Sequence, residues 1–310
     1  INVIHDANGE LYFSGDAFNQ LMKTNGSVDS IEVAAFVSPG SGSLYTVGNK
    51  TYFSGYVRSK RRANDKRAID GYELWVTDGT ASGTHIVKDI DPDGSGLYRH
   101  YLTATSIGDT LYFIANDGVN GYELWKTDGT EENTQMVIDF NATEDGLDAN
   151  DFILVSWNGM VYFSVINEFG EYELWKSDGT AAGSEQLTNF GETGSAELYD
   201  YAIFNERLYF TAYVEGYGGE VWATDGTAAG TINMVDIFPG EEDSDPRGYY
   251  VFNNILFFTA ITELHGRELW KSDGTEAGTV LVKDVNPGTE GGSYCLSSFG
   301  CQQTNNNILE

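Results

Sequence analysis

The phrase Glu73-Leu74-Trp75-Val76-Thr77-Asp78-Gly79-Thr80 decides the fold of this 310-residue chain, because it returns four more times with few changes. A period close to 50 residues separates the tryptophans of the five copies, which are Trp75, Trp125, Trp175, Trp222 and Trp270. Short alternating apolar runs at this period, each closed by a Gly-containing turn, predict a β-propeller blade rather than a helical solenoid. A residue that recurs in every blade is expected to serve packing, because each blade needs the same scaffold. Functional residues are therefore expected where the blades differ.

Each copy of the repeat is predicted to hold four antiparallel β-strands, rich in aromatic and β-branched residues and bounded by turn formers. The chain is therefore predicted to be one all-β domain, residues 1–310, that forms a six-bladed β-propeller with four strands per blade. The first blade, about residues 1–45, is degenerate: Glu10–Phe13 and Ile31–Phe36 match strands two and four, but the phrase is missing and Ala17–Ser30 stands in its place. Either Ile1–His5 or the closing segment, about residues 294–310, is expected to complete this blade and close the ring.

The Asp-Gly-Thr turn and its paired tryptophan are predicted to be structural. Asp bonds forward to its own backbone, Gly adopts a positive φ without steric cost, and Trp is a large apolar wedge. A second carboxylate recurs near the end of the fourth strand, and two uses stay open for it: a cap or turn, which is commoner, or a ring of carboxylates that holds a cation. Its copies are Asp89, Asp139, Asp236 and Asp284.

The repeated phrase, followed by Gly-Thr and a Val-Lys-Asp-Ile-like strand, resembles the ELWxxDGT-repeat family. The extended pattern is clearest over Trp75–Ile90 and Trp270–Val285. The resemblance implies propeller modules of secreted or surface proteins, and it brings no catalytic residues. The chain is therefore predicted to be extracellular, and its start at Ile1 without an initiator Met fits a processed or trimmed form. In that setting Cys295 and Cys301 are expected to form a disulfide.

Composition argues against two classes of function. The chain has 47 acidic and 17 basic residues and a formal net charge of −30, whereas a nucleic-acid binder needs the opposite balance. No stretch is long and apolar enough to span a membrane, so membrane insertion is not expected. The acidic surplus has two interpretations, which are solubility and the binding of a hard cation such as calcium. The oligomeric state stays open.

The loops after the fourth strands, and the loops that join strands two and three, are predicted to emerge on one side of the ring and to carry any binding surface. Carboxylates concentrate on these loops, and calcium is the predicted cofactor. Solvated acidic loops without a metal are the alternative. The predicted calcium ligands are Asp91, Asp93, Glu241, Asp243 and Asp245.

Tyrosine beside carboxylates on these loops is typical of a sugar site, because the ring stacks on a CH face and the acids accept hydroxyl bonds. A basic insertion at residues 58–67 is interpreted as an arm for an anion or a protein partner, with a flexible solvated loop as the alternative. The predicted ligand-binding residues are Tyr98, His100, Tyr213, Tyr217, His265, Arg61 and Arg62.

The sequence favours a secreted recognition or adhesion propeller that binds an extracellular glycan or a surface protein, with calcium as a helper. Two alternatives stay open. A carbohydrate-active enzyme, a lyase or glycoside hydrolase, would carry its site at the mouth of the axis, although the four histidines share no metal-ligand spacing and no nucleophile motif is present. A structural repeat module of a larger surface protein would bind no ligand.

Overall fold

Each repeat folds into one antiparallel sheet, and the described residues form six such sheets in sequence order, five with four strands and the second with five. The computed structural model describes residues 3–15, 18–27, 29–35, 37–39, 44–56, 71–98, 102–141, 146–147, 154–285 and 287–288. Within these residues strands follow one another through short turns, and the only helical segment is a 3-10 turn at Ala181–Gly183. No helix in the described part of the chain has the length and apolar character that crossing a membrane requires.

The first three sheets have the following strands. The first sheet contains β1 (Val3–Ala7), β2 (Glu10–Gly15), β3 (Phe18–Thr24) and β4 (Glu32–Ala35). The second contains β5 (Ser38–Pro39), β6 (Tyr45–Val47), β7 (Lys50–Tyr56), β8 (Tyr72–Thr77) and β9 (His85–Ile86), with β5 and β6 both paired to β7. The third contains β10 (Ala104–Ile107), β11 (Thr110–Asn116), β12 (Tyr122–Thr127) and β13 (Gln135–Ile138).

The last three sheets repeat this order. The fourth contains β14 (Val155–Trp157), β15 (Met160–Ile166), β16 (Tyr172–Ser177) and β17 (Glu185–Gln186). The fifth contains β18 (Gly194–Phe204), β19 (Arg207–Val214), β20 (Gly218–Thr224) and β21 (Ile232–Val235). The sixth contains β22 (Arg247–Phe252), β23 (Ile255–Thr262), β24 (Gly266–Ser272) and β25 (Val280–Lys283).

The chain divides into two compact units. Residues 1–166 with 177–184 form the first unit, and residues 167–176 with 185–310 form the second. The prediction of a single domain and that of a closed ring both stay predictions, and in the described residues no strand of one sheet pairs with a strand of another. The predicted disulfide between Cys295 and Cys301 and the predicted closing segment both lie outside the described residues.

The first sheet contains a diverged sixth copy of the repeated phrase, which the sequence analysis took to be missing. β3 pairs with β2 and β4 as the third strand, and the register shifts between Leu21 and Met22 as it does between Leu and Trp in later copies. Asn25 Oδ1 accepts bonds from the N–H and the hydroxyl of Ser27, at 3.0 and 2.9 Å. Asn25-Gly26-Ser27 thus makes the Asp-Gly-Thr turn with conservative replacements. β1 supplies the first strand, so the N-terminal segment completes this sheet.

The Asp-Gly-Thr turns are structural, as predicted. Asp225 Oδ1 accepts bonds from the N–H and the hydroxyl of Thr227, at 2.9 and 2.7 Å, and the same pair of bonds occurs in all five copies. These bonds favour the ionised carboxylate and lower the pKa of Asp225. Gly226 has a φ of +91°, a backbone conformation in which a Cβ would be strained. Each turn therefore satisfies its own polar groups.

Apolar clusters join the first sheet to the second, the second to the third, and the fifth to the sixth. In the first unit Tyr52 of the second sheet packs in one cluster with Leu111, Phe113 and Trp125 of the third. In the second unit Tyr209 of the fifth sheet packs with Leu256 and Phe258 of the sixth, while Trp270 packs against the same cluster. The prediction that the repeated tryptophan packs between sheets is confirmed at these positions. Stacking buries faces that a single sheet cannot bury alone.

Candidate functional site

The repeated glutamate of the phrase, rather than its tryptophan or aspartate, holds the loops that follow the fourth strands. All five copies of this ionisable side chain are buried: Glu73, Glu123, Glu173, Glu220 and Glu268. Buried carboxylates need hydrogen-bond donors to offset the loss of water. Backbone N–H groups of the following loop supply donors to Glu73, Glu123, Glu173 and Glu220. We call these five residues the glutamate clasps.

Glu220 shows how a clasp works in the second unit. Its Oε2 accepts bonds from Ile237 N at 2.9 Å and from Ser244 Oγ at 2.7 Å, while its Oε1 accepts one from Phe238 N at 3.1 Å. The partners lie at the two ends of the segment from Ile237 to Ser244. One buried side chain therefore fixes both ends of the loop that carries Glu241.

Burial raises the pKa of three of the glutamate clasps, Glu73, Glu123 and Glu220, because the interior disfavours their charged form. The pKa of Glu73 and of Glu220 rises to about 7 and that of Glu123 to about 8. Backbone N–H donors oppose this rise, and a neighbouring aspartate adds to it in all three cases: Asp89, Asp236 and Asp139. The recurring strand-end aspartates that the sequence singled out thus lie close enough to the clasps to affect their ionisation.

A cavity of about 440 Å³ opens in the second unit, between the loops of the fourth and fifth sheets. Both kinds of loop that the sequence selected contribute to its wall, namely strand two-to-three connections and segments that follow a fourth strand. Four of the lining residues are glutamates, and none is lysine, arginine or histidine. The lining residues are Glu171, Glu192, Thr193, Gly194, Ser195, Tyr213, Val214, Glu215, Gly216, Gly218 and Glu241. We call this feature the acidic cavity.

Backbone bonds fix the wall of the acidic cavity. Glu215 N donates to Thr193 O at 2.8 Å, which ties the β19–β20 hairpin to the start of β18. Asn167 Nδ2 donates to Gly191 O at 2.9 Å and Asn167 N donates to Glu171 O at 2.8 Å, so the loop that carries Glu171 is tied to the same region. The cavity is thus framed by backbone, while the carboxylates of its rim reach solvent.

Two of the predicted site residues meet at the acidic cavity, Tyr213 and Glu241. Tyr217 belongs to the same hairpin and is exposed, but it does not line the wall. His265 lies apart from this wall, where its Nδ1 is 2.9 Å from Asp284 Oδ2. Tyr98, in the first unit, packs edge-on against Tyr122 with ring centroids 5.6 Å apart. His100, Arg61 and Arg62 lie outside the described residues.

The predicted calcium ligands lie in two different loops. In the first unit Asp91 Oδ1 accepts a bond from Asp93 N at 3.1 Å, so this carboxylate caps its own loop. In the second unit Asp243 Oδ1 accepts a bond from Gly219 N at 2.7 Å. Across the residues that the structure describes, no group of three or more His, Cys, Asp or Glu side chains is placed to hold a metal ion. Calcium binding therefore stays a prediction.

Asp245 is part of an ion-pair network beside the acidic cavity. Its Oδ1 accepts bonds from Arg247 Nε at 2.9 Å and from the Tyr213 hydroxyl at 3.2 Å, and its Oδ2 pairs with the guanidinium of Arg267. Two cations thus neutralise this carboxylate without a metal. The network also fixes the tyrosine hydroxyl, so the ring of Tyr213 is held in the cavity wall.

Sequence reasoning missed Glu171, Glu192 and Glu215 as members of one site, although the loops that carry them were selected. It also missed the glutamate clasps. The clasps carried one available signal: a glutamate on an otherwise apolar strand returned in all five phrases. The acidic cavity carried no such signal, because its members come from four separate segments that only the fold brings together.

Comparison with known proteins supports the fold and not an activity. No family model matches the chain and no curated protein matches it, so the ELWxxDGT resemblance stays a prediction. A solved prolyl endopeptidase matches with a TM-score of 0.53 at 10% identity, over 90% of this chain and 41% of that one. A puromycin-hydrolysing peptidase of Mycobacterium tuberculosis matches with a TM-score of 0.49 at 12% identity, over 90% of this chain and 44% of that one. A puromycin hydrolase matches with a TM-score of 0.46 at 14% identity, over 89% and 44%.

The chain spans less than half of the length of these solved chains. The matching part of the prolyl endopeptidase is its propeller domain, which supports a propeller-like all-β fold for this chain. An identity of 10% informs the fold alone, because one fold hosts many unrelated activities.

Proposed function

We propose that the chain is a six-bladed propeller from a secreted or surface protein and that it binds an extracellular glycan through the acidic cavity. One observation carries the proposal. The cavity combines an aromatic wall, Tyr213, with four carboxylates and two hydroxyl-bearing residues, Thr193 and Ser195. Sugars use these groups, since their CH faces stack on rings and their hydroxyls donate to carboxylates.

The charge of the cavity narrows the glycan class. The lining holds four glutamates and no basic side chain, so an anionic sugar would meet repulsion without a counter-charge. Neutral glycans meet no such repulsion. The ligand is therefore a neutral glycan, and sulfated or uronate-rich polymers are expected to be rejected.

The test is retention of the purified chain on an array of neutral and acidic glycans, with calcium and with a chelator. We expect retention on a neutral glycan, and Glu192→Gln combined with Glu241→Gln to weaken it at least about tenfold, because charge-assisted bonds are lost. Glu276→Gln is the matched control, because this exposed glutamate lies outside the cavity wall. Retention on no glycan would refute the function, and equal retention by the double variant would refute the site. Loss of retention in the chelator would support the prediction that calcium assists glycan binding.

A further inference from the structure

Large apolar side chains lie exposed at the tips of the loops that join strands two and three. Each of the third to sixth sheets places one there, and the exposed fractions run from 45% for Tyr217 to 83% for Val119. Scattered apolar residues on a surface are ordinary, so their recurrence at one structural position is the informative feature. The four residues are Val119, Phe169, Tyr217 and Leu264.

The two aromatic tips belong to the loops that form the acidic cavity. Phe169 lies two residues before Glu171, which lines the wall. Tyr217 lies between two glycines that line the wall as well. The aliphatic tips, Val119 and Leu264, lie on loops that contribute no residue to it. Among the four described tips, an aromatic side chain therefore occurs only where the loop also lines the cavity.

Backbone bonds fix the loop beneath each aromatic tip. Asn167 Oδ1 accepts bonds from Phe169 N at 2.9 Å and from Glu171 N at 3.0 Å, so the tip and the cavity residue share one anchor. Tyr217 N donates to Val214 O at 2.9 Å, and Val214 itself lines the wall. An aromatic ring on a fixed backbone has few torsions left to restrict, which lowers the entropic cost of a contact with a ligand.

We propose that Phe169 and Tyr217 are stacking platforms for an extended chain of neutral sugars that is longer than the cavity, an inference that rests on the proposed glycan binding. Sugar units inside the cavity meet its carboxylates and the ring of Tyr213. The next units along the chain stack their CH faces on the exposed rings, a contact that needs no charge on the sugar. The ligand is therefore an oligosaccharide or polysaccharide rather than a single sugar.

Affinity measured against the length of the sugar chain tests the platforms. The full chain is titrated in a calorimeter with malto-, cello- and manno-oligosaccharides, from single sugars to about six units, a length that reaches beyond a pocket of ordinary size. Phe169→Ala and Tyr217→Ala each remove one exposed ring. Leu264→Ala is the matched control, because it removes an exposed side chain from the equivalent tip of the sixth sheet, which does not line the cavity.

We expect the affinity of wild type and of Leu264→Ala to rise with the length of the oligosaccharide. Phe169→Ala and Tyr217→Ala should each weaken binding of the longest oligosaccharides about threefold to tenfold and leave binding of the shortest unchanged, because only units outside the cavity contact these rings. An equal loss at every length, or no loss at the longest, would overturn the platforms and leave the cavity as the site. No binding by any oligosaccharide would overturn the platforms together with the proposed function.

Discussion

Replacing Glu220 with glutamine tests whether a glutamate clasp is protonated in the folded chain. Burial raises the pKa of Glu220 from 4.5 to about 7, so between these values the folded chain holds a proton that the unfolded chain releases. A carboxyl group whose pKa is raised on folding stabilises the folded chain at low pH. This contribution to the free energy of unfolding is lost as the pH rises through about 7. Glutamine does not ionise, and it therefore lacks this dependence.

The structure sets the size of the effect. A rise from 4.5 to about 7 at about 1.4 kcal/mol per unit costs the folded chain about 3 kcal/mol once the side chain is ionised. Between about pH 5 and pH 8 about 2.5 kcal/mol of this cost develops. Glu220→Gln loses one of the acceptors for Ile237 N and Phe238 N, which costs about 1 to 3 kcal/mol at every pH. The variant is therefore less stable near pH 5 and equals or exceeds wild type near pH 8.

Urea unfolding, followed by tryptophan fluorescence at several pH values, measures the difference between wild type and variant. Glu276→Gln serves as the control, because an exposed side chain should change the free energy of unfolding by less than about 0.5 kcal/mol. A difference for Glu220→Gln that stays constant within about 0.5 kcal/mol across the pH range would refute the reasoning. Larger protection factors for the amides of Ile237 and Phe238 near pH 5 than near pH 8, each calculated against the intrinsic exchange rate at that pH, would support it independently.

Three further predictions concern the repeat itself. Gly274→Ala should lower the free energy of unfolding by about 1 to 2 kcal/mol in urea melts, since φ is +94° there and a Cβ would lie 3.0 Å from the Tyr209 hydroxyl. Asp225→Ala should cost about 0.5 to 2 kcal/mol at neutral pH and less in acid, because the Thr227 bonds lower the pKa of Asp225 and their stability is lost as the pH falls through that pKa; melts at two pH values check this. Phe258→Ala should cost about 3 to 5 kcal/mol by the same assay, because this ring is fully buried between two sheets.

Local features of the repeat could be predicted from sequence because their causes are local. The Asp-Gly-Thr turn involves three adjacent residues, so its bonds follow from residue types alone. The strands followed in the same way from short apolar runs and turn formers. The diverged copy at Asn25-Gly26-Ser27 was missed because Asn and Ser replace Asp and Thr around the unchanged glycine, and identity to the phrase does not reveal chemical analogues.

The clasps and the acidic cavity could not be predicted in the same way, because their partners are distant in the chain. Glu220 bonds to Ile237 and Ser244, and a strand pattern gives no sign of where its carboxylate lies. The cavity needs Glu171, Glu192 and Glu241 to converge from separate loops. Loop chemistry indicated the right segments, but their convergence depends on how the sheets stack.

The reach of each clasp bears on how such a chain changes length over evolution. Glu220 finds all its partners within its own repeat, no further along than Ser244, so a genetic duplication or deletion of one whole period leaves every clasp with its loop intact. Unequal recombination at this period therefore adds or removes blades without creating a buried, unpaired carboxylate. A duplication or deletion that is not a whole period would separate a clasp glutamate from its loop and leave a buried carboxylate unpaired. Selection therefore favours gains and losses of whole repeats.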